Sequence, residues 1–249
     1  MLEFYGLRKE FGGVVAVDRL DFVVDRDTVT SVIGPNGAGK TTIFNMVTGF
    51  LPPTSGRIVF KNRDINACKQ HVIASLGICR TFQSVQIFSE MTVIENVMVG
   101  RHLRSKTGLI LSCILPPVMR PEEKKIREDA RHWLRFVGLD ASADILAGSL
   151  PLGNQRMLEI ARALATEPKL LLLDEPASGL NTRETIAMGE LIGNIRALGV
   201  TVVLVEHDME LVMGISDHVA VLNFGMLIAE GTPAQIQENP DVITAYLGE

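Results

Sequence analysis

The chain has 249 residues, 47% of them hydrophobic and 21% charged, which is enough to bury a full core. A formal net charge of −5 excludes a general electrostatic attraction to nucleic acid. The three cysteines, Cys68, Cys79 and Cys113, lack metal-ligand spacing and read as reduced thiols of a cytosolic protein. The opening MLEFYGLRKEF is charged throughout and has no apolar centre, so it does not read as a signal peptide. No apolar run is long enough to span a bilayer; the best candidate, LILSCILPPVM (109–119), is short and broken by Pro116 and Pro117. It reads as a buried segment or a docking surface.

In chain order, LEFYGL, DRLDFVV and VTSVIG have strand patterns, residues 42–50 read as a helix ended by Gly49, and RIVFKNRDI (57–65) reads as a further strand. From about 84 to 154 the texture is mostly helical. PEEKKIREDARHWLRFVG (121–138) places Pro121 in its first turn and Gly138 at its end, with Ile126, Ala130, Trp133, Leu134 and Val137 as an apolar stripe. Helix 155–166, strand 169–174, helix 182–198 and strand 200–206 follow, then strands within 218–231 and a short helical tail. All-apolar strands alternating with helices predict a parallel sheet buried on both faces, with the helical stretch inserted in one α/β domain.

GPNGAGKT (34–41) fits G-x-x-x-x-G-K-[ST] between a strand and a helix, the context a phosphate-binding loop needs. Its N–H groups would close round a β-phosphate, Lys40 would reach the β- and γ-oxygens, Thr41 would offer a hydroxyl to Mg²⁺, and Thr42 would lie near the α-phosphate. LLLLDEP (170–176) ends an apolar strand in two acids. A parallel neighbour would deliver Asp174 beside the metal and Glu175 to an attacking water; the alternative is a pair of solvated strand-end acids. VEHD (205–208) brings His207 to a strand's C-terminal end, where α/β proteins bind ligands. Gln83, in TFQ, stands where core meets insert. Phe11 is a candidate adenine platform, with Tyr5 as its rival and burial in the N-terminal sheet as the alternative. SLPLGNQ (149–155) opens a helix whose apolar face is Met157, Leu158, Ala161, Leu164 and Ala165; Asn154 is a candidate cap, and the loop has no Lys or Ser to finish an anion site.

Taken in order, these features resemble the ATP-binding subunit of ABC transporters, over essentially the whole chain. GPNGAGKTTIFNMVTGF, RTFQSVQIFSEMTVIENVMVGRH, LEIARAL, EPASGLN, VEHDMELVMGISD and NPDVITAYLGE extend the resemblance to the ATPase subunits of branched-chain amino acid importers, with the segment around 103–124 similar to the longer of their two ATPases. The resemblance implies a P-loop NTPase ATP-binding cassette: an α/β fold with a mainly parallel sheet core, a small antiparallel N-terminal sheet and a helical insert. It implies one domain over 1–249, its core about 1–83 and 155–249 and its insert about 84–154. ATP and Mg²⁺ are the implied cofactors. Nucleotide contacts would come from Phe11, Gly34, Pro35, Asn36, Gly37, Ala38, Gly39, Lys40, Thr41, Thr42 and Gln83. Metal ligands would be Thr41, Gln83 and Asp174, and Lys40, Glu175 and His207 would be catalytic.

The family also implies a head-to-tail ATPase dimer, homo- or heteromeric, on two membrane permease subunits at the cytoplasmic face of the inner membrane, with a substrate-binding protein outside. The family signature L-S-G-G-Q, which meets nucleotide on the opposite subunit, aligns with Leu150, Pro151, Leu152, Gly153 and Asn154. Pro151 offers neither hydroxyl nor N–H there. Asn181 stands where the family usually has an acid. Val85, Ile87, Phe88, Met91 and Met98 are either docked by a permease loop or buried by the insert. Import of branched-chain amino acids is the leading expectation. Import of urea or another small solute is the runner-up, and a soluble ATPase acting on nucleic acid or ribosomes is disfavoured by the acidic charge and single cassette.

Overall fold

The computed structural model describes residues 1–102 and 120–247. The apolar run 109–119 and Cys113 lie outside the described residues; Cys68 and Cys79 form no disulfide among the described residues. Among the described residues no helix is long and apolar enough to cross a membrane. Contacts divide the chain into two compact units, Met1–Arg80 with Lys169–Ser178 and Thr185–Glu249, and Thr81–Pro168 with Gly179–Glu184.

The first unit holds two sheets. Strands β1 (Leu2–Phe11), β2 (Val14–Val24), β4 (Ser55–Phe60) and β5 (Arg63–Asp64) form an antiparallel sheet in the order β2-β1-β4-β5. The run RIVFKNRDI is therefore a hairpin and not one strand. Lys61 and Asn62 both take positive φ, 50° and 63°, the conformation of a two-residue type I′ turn. Strands β3 (Val29–Ile33), β6 (Ile78–Arg80), β7 (Leu170–Asp174), β8 (Thr201–Val205), β9 (His218–Asn223) and β10 (Met226–Gly231) form the larger sheet in the order β10-β9-β3-β8-β7-β6. It is parallel except where β10 turns back on β9.

Every residue of β3, β7 and β8 is buried, which explains why these strands are apolar without alternation. On one face Val32, Leu170, Leu172, Val203 and Val205 pack with Ile43, Phe44 and Val47 of helix α1 (Lys40–Val47) and with Leu2, Phe4 and Leu7 of β1. On the other face Ile33, Val219 and Val221 meet Val212 of α7 (Met209–Ile215), Ile236 of α8 (Pro233–Gln237) and Val242 of α9 (Pro240–Leu247). Helix α2 (Gln70–Leu76) leads into β6.

The second unit is built on α3 (Val93–His102), α4 (Arg120–Phe136) and α5 (Leu152–Leu164). The expected stripe is there: Ala130 and Leu134 of α4 are fully buried with Val93, Ile94 and Val97 of α3 and Leu158 and Ala161 of α5. The α5 helix thus falls in the second unit, beyond the boundary at 154 read from sequence, because its apolar face packs on α3 and α4. Helix α6 (Thr182–Ala197) begins in the second unit and continues in the first.

Candidate active site

The phosphate loop leaves β3 at Gly34 and enters α1 at Lys40, as its motif requires. Two of its glycines are forced by close backbone approach: a Cβ on Gly34 would lie 2.1 Å from the Leu222 carbonyl oxygen, and one on Gly39 would lie 2.5 Å from that of Ala16. Gly39 occupies the N-cap with φ 101°, and Pro35 accepts the Ala38 N–H at 3.1 Å, closing the loop on itself. Asn36, Gly37 and Thr41 are exposed, Pro35 and Thr42 half-buried, and Ala38 buried. Lys40 is buried and donates its Nζ to the carbonyls of Gly34 (2.6 Å) and Pro35 (3.0 Å). Burial lowers its pKa, while the negative charges of Glu175 and Asp174 oppose that shift, so both acids lie within electrostatic reach of the loop lysine.

The ends of β7 and β8 are neighbours in parallel register, Asp174 opposite Val205. This brings the two acidic motifs, distant in sequence, together. Glu175 leaves the strand with φ 50°, a conformation uncommon for a non-glycine residue, and its Oε1 lies 3.0 Å from His207 Nε2. His207 is exposed in large part and Glu175 is mostly covered. A carboxylate so paired with an imidazole can accept the proton of a water bound beside it.

Two residues of this site were not singled out in the sequence. Glu206 is buried and accepts backbone N–H groups from Ala177 (2.7 Å) on one oxygen and from His207 (2.8 Å) and Asp208 (3.4 Å) on the other. It ties the turn after Glu175 to the end of β8. Arg80 forms a buried ion pair with Asp174, Nη2 to Oδ2 at 2.7 Å. The only sequence signal for either is a charged residue inside or beside an otherwise apolar strand.

Thr41 and Asp174 supply a hydroxyl and a carboxylate, hard oxygen donors that suit Mg²⁺ completed by phosphate oxygens and water. No group of three or more His, Cys, Asp or Glu among the described residues is arranged to hold a metal by itself. Gln83 is exposed and belongs to the second unit.

Phe11 ends β1 at 45% exposed, so it is not part of the N-terminal sheet's core, and Lys9 Nζ lies 5.0 Å from its ring centre. Tyr5 is also exposed, but its hydroxyl is engaged by Glu3 and its ring by Arg57.

The helix that follows SLPLGNQ starts three residues earlier than expected. Pro151 is its N-cap, with no side-chain cap, and Asn154 lies in the first turn instead of capping it. Proline tolerates this place because its φ of −56° suits it and the N–H it lacks would be unpaired in any case. The first-turn N–H groups are those a helix cannot satisfy internally. Leu150 is buried in the apolar cluster of the second unit. Gly153 is buried too, and a Cβ there would lie 2.6 Å from Glu184 Oε1. Asn181 acts as a helix cap: its Oδ1 accepts the Glu184 N–H at 3.1 Å and Glu184 Oε2 accepts the Asn181 N–H at 3.0 Å, bonds in which asparagine replaces an acid without loss. Of the apolar residues after Gln83, Ile87 and Met98 pack on the second unit's core, Val85 and Met91 are half-buried, and Phe88 remains 47% exposed.

Residues 17–178 match the ABC transporter family model, and residues 226–249 match that of the branched-chain amino acid ATP-binding cassette transporter. The chain is 49% identical over 250 aligned residues, covering 100% of it and 98% of the relative, to the high-affinity branched-chain amino acid transport ATP-binding protein BraF of Pseudomonas aeruginosa. It is 47% identical, with the same coverage, to LivG of Escherichia coli, a protein of the same description. Among solved structures, a nucleotide-free ATP-binding cassette from an ABC transporter superposes with a TM-score of 0.87 at 34% identity, over 100% of this chain and 99% of that one. The ADP conformation of an ATP-binding cassette gives the same TM-score and coverage. A phosphate loop, a Glu–His pair across two parallel strand ends and an end-to-end match to these proteins lead to one assignment: the chain belongs to the ATP-binding subunits of ABC transporters, in the branch that contains BraF and LivG.

Proposed function

We propose that this chain is the ATP-binding and hydrolysing subunit that powers import of branched-chain amino acids through partner permeases. The observation that carries the reading is the 49% identity to BraF, spread over the whole length and joined by the family match of the last 24 residues, 226–249. In this reading Phe11 stacks on adenine, while the N–H groups of Gly34–Thr42 and the Lys40 ammonium hold the phosphates. Glu175 accepts the proton of the attacking water, and His207 orients both. Mg²⁺ would be held by Thr41 and Asp174 and, on the family resemblance alone, Gln83; when bound it neutralises charge on the phosphate oxygens.

The working unit is a dimer with a second ATPase subunit, in which Gly153 and Asn154 of one subunit meet nucleotide held by the other and buried Leu150 seats the turn that carries them. This assigns a use to uncapped N–H groups that do not complete a phosphate site by themselves. The chain sits peripherally at the cytoplasmic face of the inner membrane. Exposed Phe88 is part of the surface offered to a permease, and an external substrate-binding protein is engaged only through the permeases. The test is ATP-driven uptake of labelled leucine and of labelled urea by proteoliposomes holding the chain with its cognate permeases and binding protein. Leucine uptake abolished by Lys40→Ala is expected; urea uptake without leucine uptake overturns the substrate.

A further inference from the structure

Arg80 ends β6, and the register sets it opposite Leu172 of the parallel neighbour β7. Asp174 is two residues further along β7, on the same face of the sheet, at the diagonal distance a long side chain spans. That face is the one covered by α1, since Leu170 and Leu172 pack with Phe44. Asp174, Asn45 and Phe44 hold the Arg80 guanidinium there. Nη2 donates to Asp174 Oδ2 at 2.7 Å, Nη1 donates to Asn45 Oδ1 at 2.7 Å, and the Phe44 ring lies 5.5 Å from the guanidinium carbon. The Arg80 and Asp174 side chains are only 5% and 4% exposed.

A buried ion pair is costly to form, and apolar side chains would fill the same volume more cheaply. Its arrangement points to what it does. Phe44 and Asn45 lie one turn along the helix that opens with Lys40 and Thr41. One planar fork therefore joins the helix carrying the Thr41 hydroxyl to the strand carrying the Asp174 carboxylate. With Oδ2 committed to Arg80, Asp174 has Oδ1 left for another ligand.

We propose that Arg80 is a positioning residue that keeps the Asp174 carboxylate in register with α1, and so sets how strongly a divalent cation adds to nucleotide binding. The inference rests on Asp174 and Thr41 facing Mg²⁺. Lysine would not replace arginine here, because a single ammonium on a flexible stem does not bond Asp174 and Asn45 in one plane while stacking on Phe44.

The experiment is calorimetric titration of the full chain with a non-hydrolysable ATP analogue, once in EDTA and once in excess Mn²⁺, for wild type, Arg80→Gln, Arg80→Lys and Asn45→Ala. The readout is the factor by which Mn²⁺ tightens binding. Arg80→Gln should reduce that factor by about tenfold, the scale of outer-shell losses at metal sites, and leave the affinity in EDTA unchanged. Arg80→Lys should recover only part of the factor. Asn45→Ala, which removes one anchor and leaves the ion pair, should give a smaller loss in the same direction, and it carries the test if Arg80→Gln does not fold. Equal Mn²⁺ factors in wild type and all variants would overturn the inference and leave the metal reading standing. So would an equal loss with and without Mn²⁺, the mark of general damage. A wild type indifferent to Mn²⁺ would take down the metal reading and this inference together.

Discussion

Glu206 gathers three backbone N–H groups onto one buried carboxylate, those of Ala177, His207 and Asp208, at 2.7, 2.8 and 3.4 Å. Glu206→Gln keeps the shape but leaves one oxygen. If that oxygen stays with Ala177, the new NH₂ faces the His207 and Asp208 N–H groups, donor against donor. The loss of a charge-assisted bond is about 1.5–3 kcal/mol. At about 2–4 °C per kcal/mol for a chain of this size, the unfolding midpoint falls by roughly 3–12 °C. Glu206→Ala loses every bond and leaves a cavity, so it should cost more than Glu206→Gln. The functional consequence is separate from stability. Glu206 fixes the turn after Glu175 and the backbone of His207, so Glu206→Gln should lower kcat per folded molecule without weakening nucleotide affinity, which depends on the loop at 34–42. Thermal melts, nucleotide titration and steady-state hydrolysis on one preparation decide it. Full kcat at temperatures where the variant is folded would refute the positioning role, and an unchanged midpoint would refute the hydrogen-bond accounting.

Glu175→Gln should bind ATP as wild type does and hydrolyse it at least a hundredfold more slowly, roughly the contribution of a general base, because the amide does not accept the water's proton; single-turnover hydrolysis measures it. Phe11→Ala should weaken ATP binding by about 1–3 kcal/mol and Phe11→Tyr should not, with Tyr5→Ala as the control; fluorescence titration showing loss only in the Tyr5 variant would move the platform to Tyr5. Glu159 is buried on α5, and desolvation raises its carboxyl above the ordinary 4.5. The folded chain therefore keeps a proton there that the unfolded chain releases, so this contribution favours folding at low pH and is lost as pH rises from about 4.5 through the raised folded value. Urea unfolding should show Glu159→Gln gaining on wild type as pH goes from 4.5 to neutrality; parallel curves would contradict the assignment.

The parts of the site legible in sequence were those whose chemistry is local. GPNGAGKT encodes its own backbone demands, and Gly34 and Gly39 are required by carbonyls that a Cβ would strike. LLLLDE and VEHD each end a strand that announces itself by unbroken apolar residues, and parallel pairing then brings Glu175 to His207. What escaped was set by contacts distant along the chain. Strand β6 has three residues and no period to detect, and its Arg80 looks like surface until Asp174, 94 residues away, is seen to neutralise it. Glu206 is another charge whose partners only the fold reveals. Sequence alone puts the start of α5 too late because Asn154 outranks proline as a cap by propensity, whereas Pro151 has a φ of −56° that suits the place. The hairpin at Lys61–Asn62 was hidden because RIVFKNRDI contains no glycine to mark its turn.

Polar side chains of α5 bond the backbone of the stretch around Gln83, while Phe88 is 47% exposed. Arg156, Glu159 and Arg162 recur every three residues along one side of the helix. Arg156 donates to the Phe82 carbonyl at 3.3 Å, Glu159 accepts the Gln86 N–H at 3.3 Å, and Arg162 donates to the Gln86 carbonyl and lies 5.4 Å from the Phe88 ring. These bonds bracket Gln83 on both sides. The same helix begins with Leu152, Gly153 and Asn154, so the segment proposed to meet a permease and the turn proposed to meet the partner's nucleotide are fixed to one rigid rod. An α-helix of 13 residues is about 20 Å long, and no proline or glycine interrupts 154–164. Desolvation raises the Glu159 carboxyl, and that burial is the cost of a latch made from charge instead of hydrocarbon. An apolar latch would hold the loop without specifying its register. Three directed bonds to carbonyls and an N–H do specify it, and register is what a segment carrying Gln83 has to keep.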